Sequence, residues 1–63
     1  VAGVPDRLVF LNNQVHLVEL KTGTGHLSPR QVLVFDQLGE AGFPVYILRS
    51  YEDIEEFIRD ATT

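Results

Sequence analysis

Cysteine is absent from this chain and only two histidines are present. Neither a disulfide framework nor a zinc centre with regularly spaced Cys and His ligands therefore staples the fold. No apolar run approaches the roughly 18 to 20 residues that a membrane-crossing helix requires, and no basic-then-apolar leader opens the sequence. The expectation is no membrane association. Positive charge is scarce: five Lys and Arg against nine Asp and Glu give a formal net charge of −4, the opposite of the basic face nucleic-acid binders normally present. That objection is partial, because bound divalent metal would neutralise some acids and Asp53, Glu55, Glu56 and Asp60 crowd one C-terminal segment. No internal repeat or low-complexity stretch is present. At 63 residues the chain is one small domain, 1–63, which buries only about 60% of its unfolded surface. Marginal stability is expected, relieved by oligomerisation or by residues outside the chain. The start at Val1 rather than Met reads as the expectation that upstream residues were removed or belong to a longer parent.

What the chain does have is a clear order of elements. Arg7 to Leu11 is an apolar run of strand formers, broken by Asn12-Asn13, two residues that tolerate positive φ. Gln14 to Lys21 follows with Val15, Leu17, Glu19 and Lys21 on one face. A two-residue turn pairs Leu11 with Gln14, and following the ladder outward sets Asp6 opposite Glu19. On that face Leu8 and Phe10 make an apolar surface with a charged end, as expected where a buried sheet surface opens into a site. Thr22 to Gly25 is a flexible connector, since Lys21 and Thr22 precede the glycines and the order of a nucleotide-binding P-loop is missing.

Ser28 suits an N-cap, Pro29 the first helical position, and Gln31 the third position of a capping box. Val32, Val34, Phe35 and Leu38 form an apolar stripe and Gly42 a stop, which predicts a helix over 29–41. Val45 to Leu48 is a short strand, and Ser50 caps a last helix with Ile54, Phe57, Ile58 and Ala61 inward. Strand, helix, strand predicts a right-handed parallel crossover between the Glu19 strand and the Val45 strand. The fold class is α/β, a small mixed sheet with helices, in which Asp6, Glu19 and Lys21 share one sheet edge near the N-terminus of the Ser28 helix. That helix end is a favourable place for a phosphate.

Two carboxylates face to face repel unless a cation compensates them, which reads as a divalent metal site. Asp6 and Glu19 supply hard anionic oxygens and the carbonyl of Leu20 adds a neutral one. Carboxylate-held Mg²⁺ or Mn²⁺ activates water and relieves charge on a phosphodiester, while a nearby Lys orients the water or stabilises developing charge. Spacing alone is met equally well by an ion pair between Glu19 and Lys21 at a strand end, with Asp6 an ordinary turn residue. Position alone favours capping for Gln31, a role that competes with catalysis for its one side chain. Ser28 reads as a cap, and no triad forms with His26 and Asp36. His26 reads as a solvated loop residue. Arg7, Arg30 and Arg49 are candidate phosphate contacts, Arg30 the best placed.

Gly3-Val4-Pro5-Asp6, Glu19-Leu20-Lys21 and Leu27-Ser28-Pro29-Arg30-Gln31 together resemble the PD-(D/E)XK nuclease superfamily, and within it the virus-type replication-repair nuclease (VRR-NUC) domain. Its Gly-x-Pro-Asp, Glu-x-Lys and Ser-x-x-Gln motifs occur here in order, and the resemblance runs from Gly3 to about Glu52. It implies a restriction-endonuclease-like core and a metal-dependent DNA nuclease. In that reading Asp6 and Glu19 bind the metal, expected to be Mg²⁺ or Mn²⁺, Lys21 is catalytic and Gln31 completes the site; from their positions, Arg30, Ser28 and Arg7 are the expected DNA contacts. Stand-alone members resemble homodimeric resolvases of four-way junctions, whereas the version in the Fanconi-anaemia-associated nuclease works as a monomer on flapped DNA. The expected substrate is thus branched or junction DNA, the assembly a homodimer, and the setting cytoplasmic in a bacterium or phage-encoded. One departure stands out: many members carry a helix before the first motif that adds another acid, and the sequence from Val1 does not include it, so that helix is expected from residues upstream or from a partner subunit. The alternatives are a non-catalytic DNA-binding or dimerisation module that keeps the fold, and a restriction-type domain of a larger enzyme.

Overall fold

The computed structural model describes residues 3–63. Its elements run β1 (Arg7–Leu11), β2 (Gln14–Leu20), α1 (Pro29–Glu40), β3 (Val45–Leu48) and α2 (Tyr51–Thr62). The α/β class and element order match the expectation from the sequence, with β2 and α1 each one residue shorter. The sheet is mixed, in the order β1-β2-β3, so β2 is central.

The hairpin turn is set by Asn12 and Asn13, which take φ of 53° and 64°. Two successive left-handed residues give the type I′ turn, whose twist matches that of the strands it joins. The turn fixes the antiparallel register from Leu11↔Gln14 to Arg7↔Val18. One step further lies Asp6 against Glu19, and there the Asp6 N–H donates to Glu19 Oε1 at 3.2 Å. On the other side β3 runs parallel to β2 with Glu19↔Ile47 and Leu20↔Leu48 in register, as the crossover predicts.

α1 begins on a complete capping box. Ser28 Oγ accepts the Gln31 N–H, and Gln31 Oε1 accepts the Ser28 N–H. The helix ends where Gly42, at φ 93°, reverses the chain: the Gly42 N–H donates to Gly39 O and the Phe43 N–H to Leu38 O at 2.8 Å. That pair of bonds is a Schellman stop, which satisfies carbonyls the last turn would otherwise leave open. α2 is capped by Ser50, whose Oγ accepts the Asp53 N–H, and carries Glu52 and Asp53 in its first turn and Arg59 in its last, all favourable to its dipole. Among the described residues no helix is long and apolar enough to cross a membrane.

The two faces of the sheet are covered unequally. Phe57 of α2 packs in a tilted pair with Tyr46, ring centroids 5.0 Å apart, and edge-on against His16 at 5.4 Å. The buried apolar core is small: Val18, Phe35 and Phe57. On the Glu19 face the expected buried surface is only half covered. Leu8, Phe10 and Val15 are 60%, 71% and 58% exposed. α1 packs against β3, so the outer half of the hairpin stays open. Ile58, expected to point inward, is also 44% exposed.

Candidate active site

The last residues of β2 form the centre of the site. Glu19 is 4% exposed on the central strand, and it is the one buried charged residue among those described. A buried carboxylate is tolerated only when donors replace its hydration. Glu19 has three: the Asp6 N–H on Oε1, and on Oε2 the Gln31 side-chain amide at 3.0 Å and the Lys21 ammonium at 3.4 Å. Each comes from a different piece of structure: the segment entering β1, the first turn of α1, and the strand end itself.

Gln31 shows how the sequence produces this convergence. Capping and site roles do not compete, contrary to the expectation above, because a primary amide has an acceptor end and a donor end. Oε1 closes the capping box while Nε2 holds Glu19. The capping box thereby locks the rotamer that reaches the carboxylate, and the helix start is tied to the strand end through one side chain.

Gly3 supplies a second tie that composition alone did not reveal. Its φ is 89°, and a Cβ there would lie 2.9 Å from Arg30 Cγ, 3.1 Å from Arg30 O and 3.2 Å from Val34 Cγ2. Only glycine meets both conditions. The backbone of the Gly3-to-Asp6 segment thus rests directly on α1, which fixes where Asp6 enters the sheet. The positive φ could have been suspected from the Gly-x-Pro-Asp pattern; the contact with α1 could not.

The remaining candidates distribute as follows. Asp6 is exposed beside buried Glu19, and no described residue donates to its carboxylate. Lys21 sits at the strand end, half-buried, with its N–H donating to Leu48 O at 3.1 Å. Leu20 lies between the acid and the base. Ser28 and Arg30 flank the start of α1 on the Glu19 side; Ser28 is engaged in the cap, and the Arg30 stem lies against Gly3. Arg7 pairs with Val18 and therefore belongs to the opposite face of the sheet from Glu19. His26 is exposed in the loop before α1.

Among the described residues no group of three or more His, Asp or Glu side chains comes together to hold a metal ion. The donors at this edge are nonetheless of the type a hard divalent cation takes. They are two carboxylates, one of them without a partner among the described residues, and a backbone carbonyl, without nitrogen or sulfur. Mg²⁺ commonly binds through one or two carboxylates and completes its shell with water and substrate phosphate. The residues present fit that pattern and would not form an all-protein cage.

Comparison with known proteins gives one finding. The family model described as VRR-NUC domain matches residues 1–52 of the 63-residue chain. That span contains every candidate above. No curated protein matches the chain.

Proposed function

The chain belongs to the VRR-NUC domain family, a family of nucleases, and from that premise we propose that it is a metal-dependent DNA endonuclease domain, 1–63, with branched or four-way-junction DNA as substrate. The observation that carries the reading is the meeting of Asp6, Glu19 and Lys21 at one sheet edge, with the acid buried and held from three sides.

In this reading Asp6 and Glu19, with the Leu20 carbonyl, hold Mg²⁺ or Mn²⁺. When bound, such an ion supplies a nucleophilic water near neutral pH and relieves charge on the phosphoryl oxygens. Gln31 keeps the Glu19 carboxylate oriented, so little reorganisation is needed as charge develops. Lys21 is close enough to Glu19 to orient the attacking water from the same side or to stabilise the phosphorane-like charge. Arg30 and Ser28, at the start of α1, lie where a phosphate meets the positive end of the helix, whereas Arg7, on the opposite face of the sheet, is left out of this site.

A homodimer fits the small core and the open Leu8, Phe10 and Val15 surface. Two-fold symmetry would match two cuts to a symmetric junction. A reducing, cytoplasmic setting agrees with the cysteine-free sequence.

Cleavage of synthetic four-way, flap and linear duplex DNA by the full-length protein, with Mg²⁺ or Mn²⁺ and with chelator, tests the proposal. Cutting that needs metal, prefers branched DNA and is lost in Glu19→Ala and Lys21→Ala is expected. No cutting, or equal cutting by the variants, would sink it. A second reading, a DNA-binding or dimerisation module without catalysis, is favoured by one observation: three protein donors reach the Glu19 carboxylate, as they would in a purely structural buried acid.

A further inference from the structure

Lys21 carries its ammonium on a four-carbon stem at the point where β2 ends, so something must restrain that stem if Nζ is to stay over Glu19. Two residues outside the three motifs bear on it: Gly25 lies beside that stem, and Arg49 hydrogen-bonds to Gly25. Past Lys21 the chain turns, with the Gly25 N–H donating to Thr22 O at 3.1 Å. The turn brings Gly25 back against the lysine, where a Cβ on Gly25 would lie 3.8 Å from Lys21 Cδ and 3.2 Å from Thr22 O. The carbonyl of that same Gly25 accepts a hydrogen bond from Arg49 Nη1.

Arg49 is itself fixed at its backbone. It follows Leu48, whose carbonyl accepts the Lys21 N–H, and its own N–H donates to Asp53 Oδ2 at 2.9 Å. Asp53 is in turn held by the Ser50 cap of α2 at 3.1 Å. Hydrogen bonds thus run from the start of α2 through Arg49 to Gly25, which borders the Lys21 stem, and the Lys21 ammonium in turn pairs with Glu19 Oε2.

We propose that Arg49 is a positioning residue for the reaction, clamping the Gly25 carbonyl so that the β2–α1 loop walls the Lys21 stem and keeps its ammonium at Glu19. The proposal rests on the nuclease reading above for its functional consequence, and on the Arg49–Gly25 hydrogen bond beside the Lys21 stem for its structural one. Arg49 is exposed, so the competing role is an ordinary phosphate contact.

Arg49→Ala, Arg49→Gln and Arg49→Lys in the full-length protein separate these roles. Single-turnover cleavage at saturating DNA is measured beside DNA affinity and its salt dependence. Amide hydrogen exchange at Gly25 is followed without DNA. A positioning residue predicts a rate at saturation lowered roughly 10- to 100-fold in Arg49→Ala, since small misplacements of a catalytic group have effects of that size. It also predicts affinity and salt slope close to wild type, faster Gly25 exchange, and recovery of most of the rate in Arg49→Lys, which keeps a donor for the carbonyl. A loss confined to affinity, with a smaller salt slope, would make Arg49 a phosphate contact and overturn the proposal. An unchanged Gly25 exchange rate overturns the clamp even if the wild type cuts DNA. A wild type that cuts no DNA overturns the nuclease reading and the catalytic role together, and the exchange measurement then still reports on the clamp alone.

Discussion

Gln31→Glu separates the two jobs of Gln31. Glutamate serves a capping box as well as glutamine does, so the tie to the Ser28 N–H survives. The other end of the side chain changes from a donor into an anion, next to an acid that is 4% exposed. Placed at the 3.0 Å separation of the present hydrogen bond, two unit charges repel by about 5.5 kcal/mol at an effective dielectric of about 20. Relaxing to about 6 Å halves this, to about 2.8 kcal/mol, and solvent and Lys21 reduce it further. The lost bond to a charged acceptor is worth about 1.5–3 kcal/mol. A net destabilisation of about 2–4 kcal/mol is therefore expected, against a total stability of roughly 3–9 kcal/mol for a chain of 63 residues. Urea denaturation without divalent metal reads this directly. With a slope of about 1 kcal/mol per molar, the midpoint should fall by about 2 M or more. Ser28→Ala, which loses a cap worth about 1 kcal/mol and leaves Glu19 untouched, should fall by less. If Gln31→Glu is as stable as wild type, or no worse than Ser28→Ala, then Gln31 is only a cap and the reasoning about Glu19 fails.

Two glycines test the backbone argument by contrast. Gly3 and Gly23 both have positive φ, but a Cβ at Gly23 meets nothing within 4 Å, whereas one at Gly3 meets α1. Gly23→Ala should cost about 1–2 kcal/mol from conformation alone and Gly3→Ala clearly more, both measured by thermal denaturation. If the proposed homodimer uses the uncovered sheet face, Phe10→Ser, at a site 71% exposed, should convert it to a monomer in sedimentation velocity while changing little in the secondary-structure signal. A wild type that sediments as a monomer at every concentration would remove the basis for the dimer.

The parts of the fold that were legible in the sequence are those decided by local backbone chemistry. Asn12-Asn13 dictates a I′ turn, the turn dictates register, and register sets Asp6 against Glu19 without any tertiary information. The same holds for Ser28, Pro29 and Gln31 at one end of α1 and Gly42 at the other. What was not legible depends on how faces meet. Nothing local tells that α1 leaves Leu8, Phe10 and Val15 open, that Gly3 rests on Arg30, or that Arg49 reaches a carbonyl 24 residues away. Gln31 falls between the two: its chemistry allowed both roles from the start, and only the placement of Glu19 beside α1 showed that they are exercised at once.

The central claim is that the Asp6–Glu19 pair is a cation site, and Mn²⁺ titration of the full-length protein followed by thermal denaturation tests it most directly. A ligand that binds only the folded state at about 100 times its Kd stabilises by about 2.7 kcal/mol, which for a domain of this size raises Tm by about 10–20 °C. The account predicts such a rise in wild type and its loss in Asp6→Asn, which keeps the backbone donor to Glu19. A flat wild-type Tm across the titration, or an equal rise in Asp6→Asn, would contradict it.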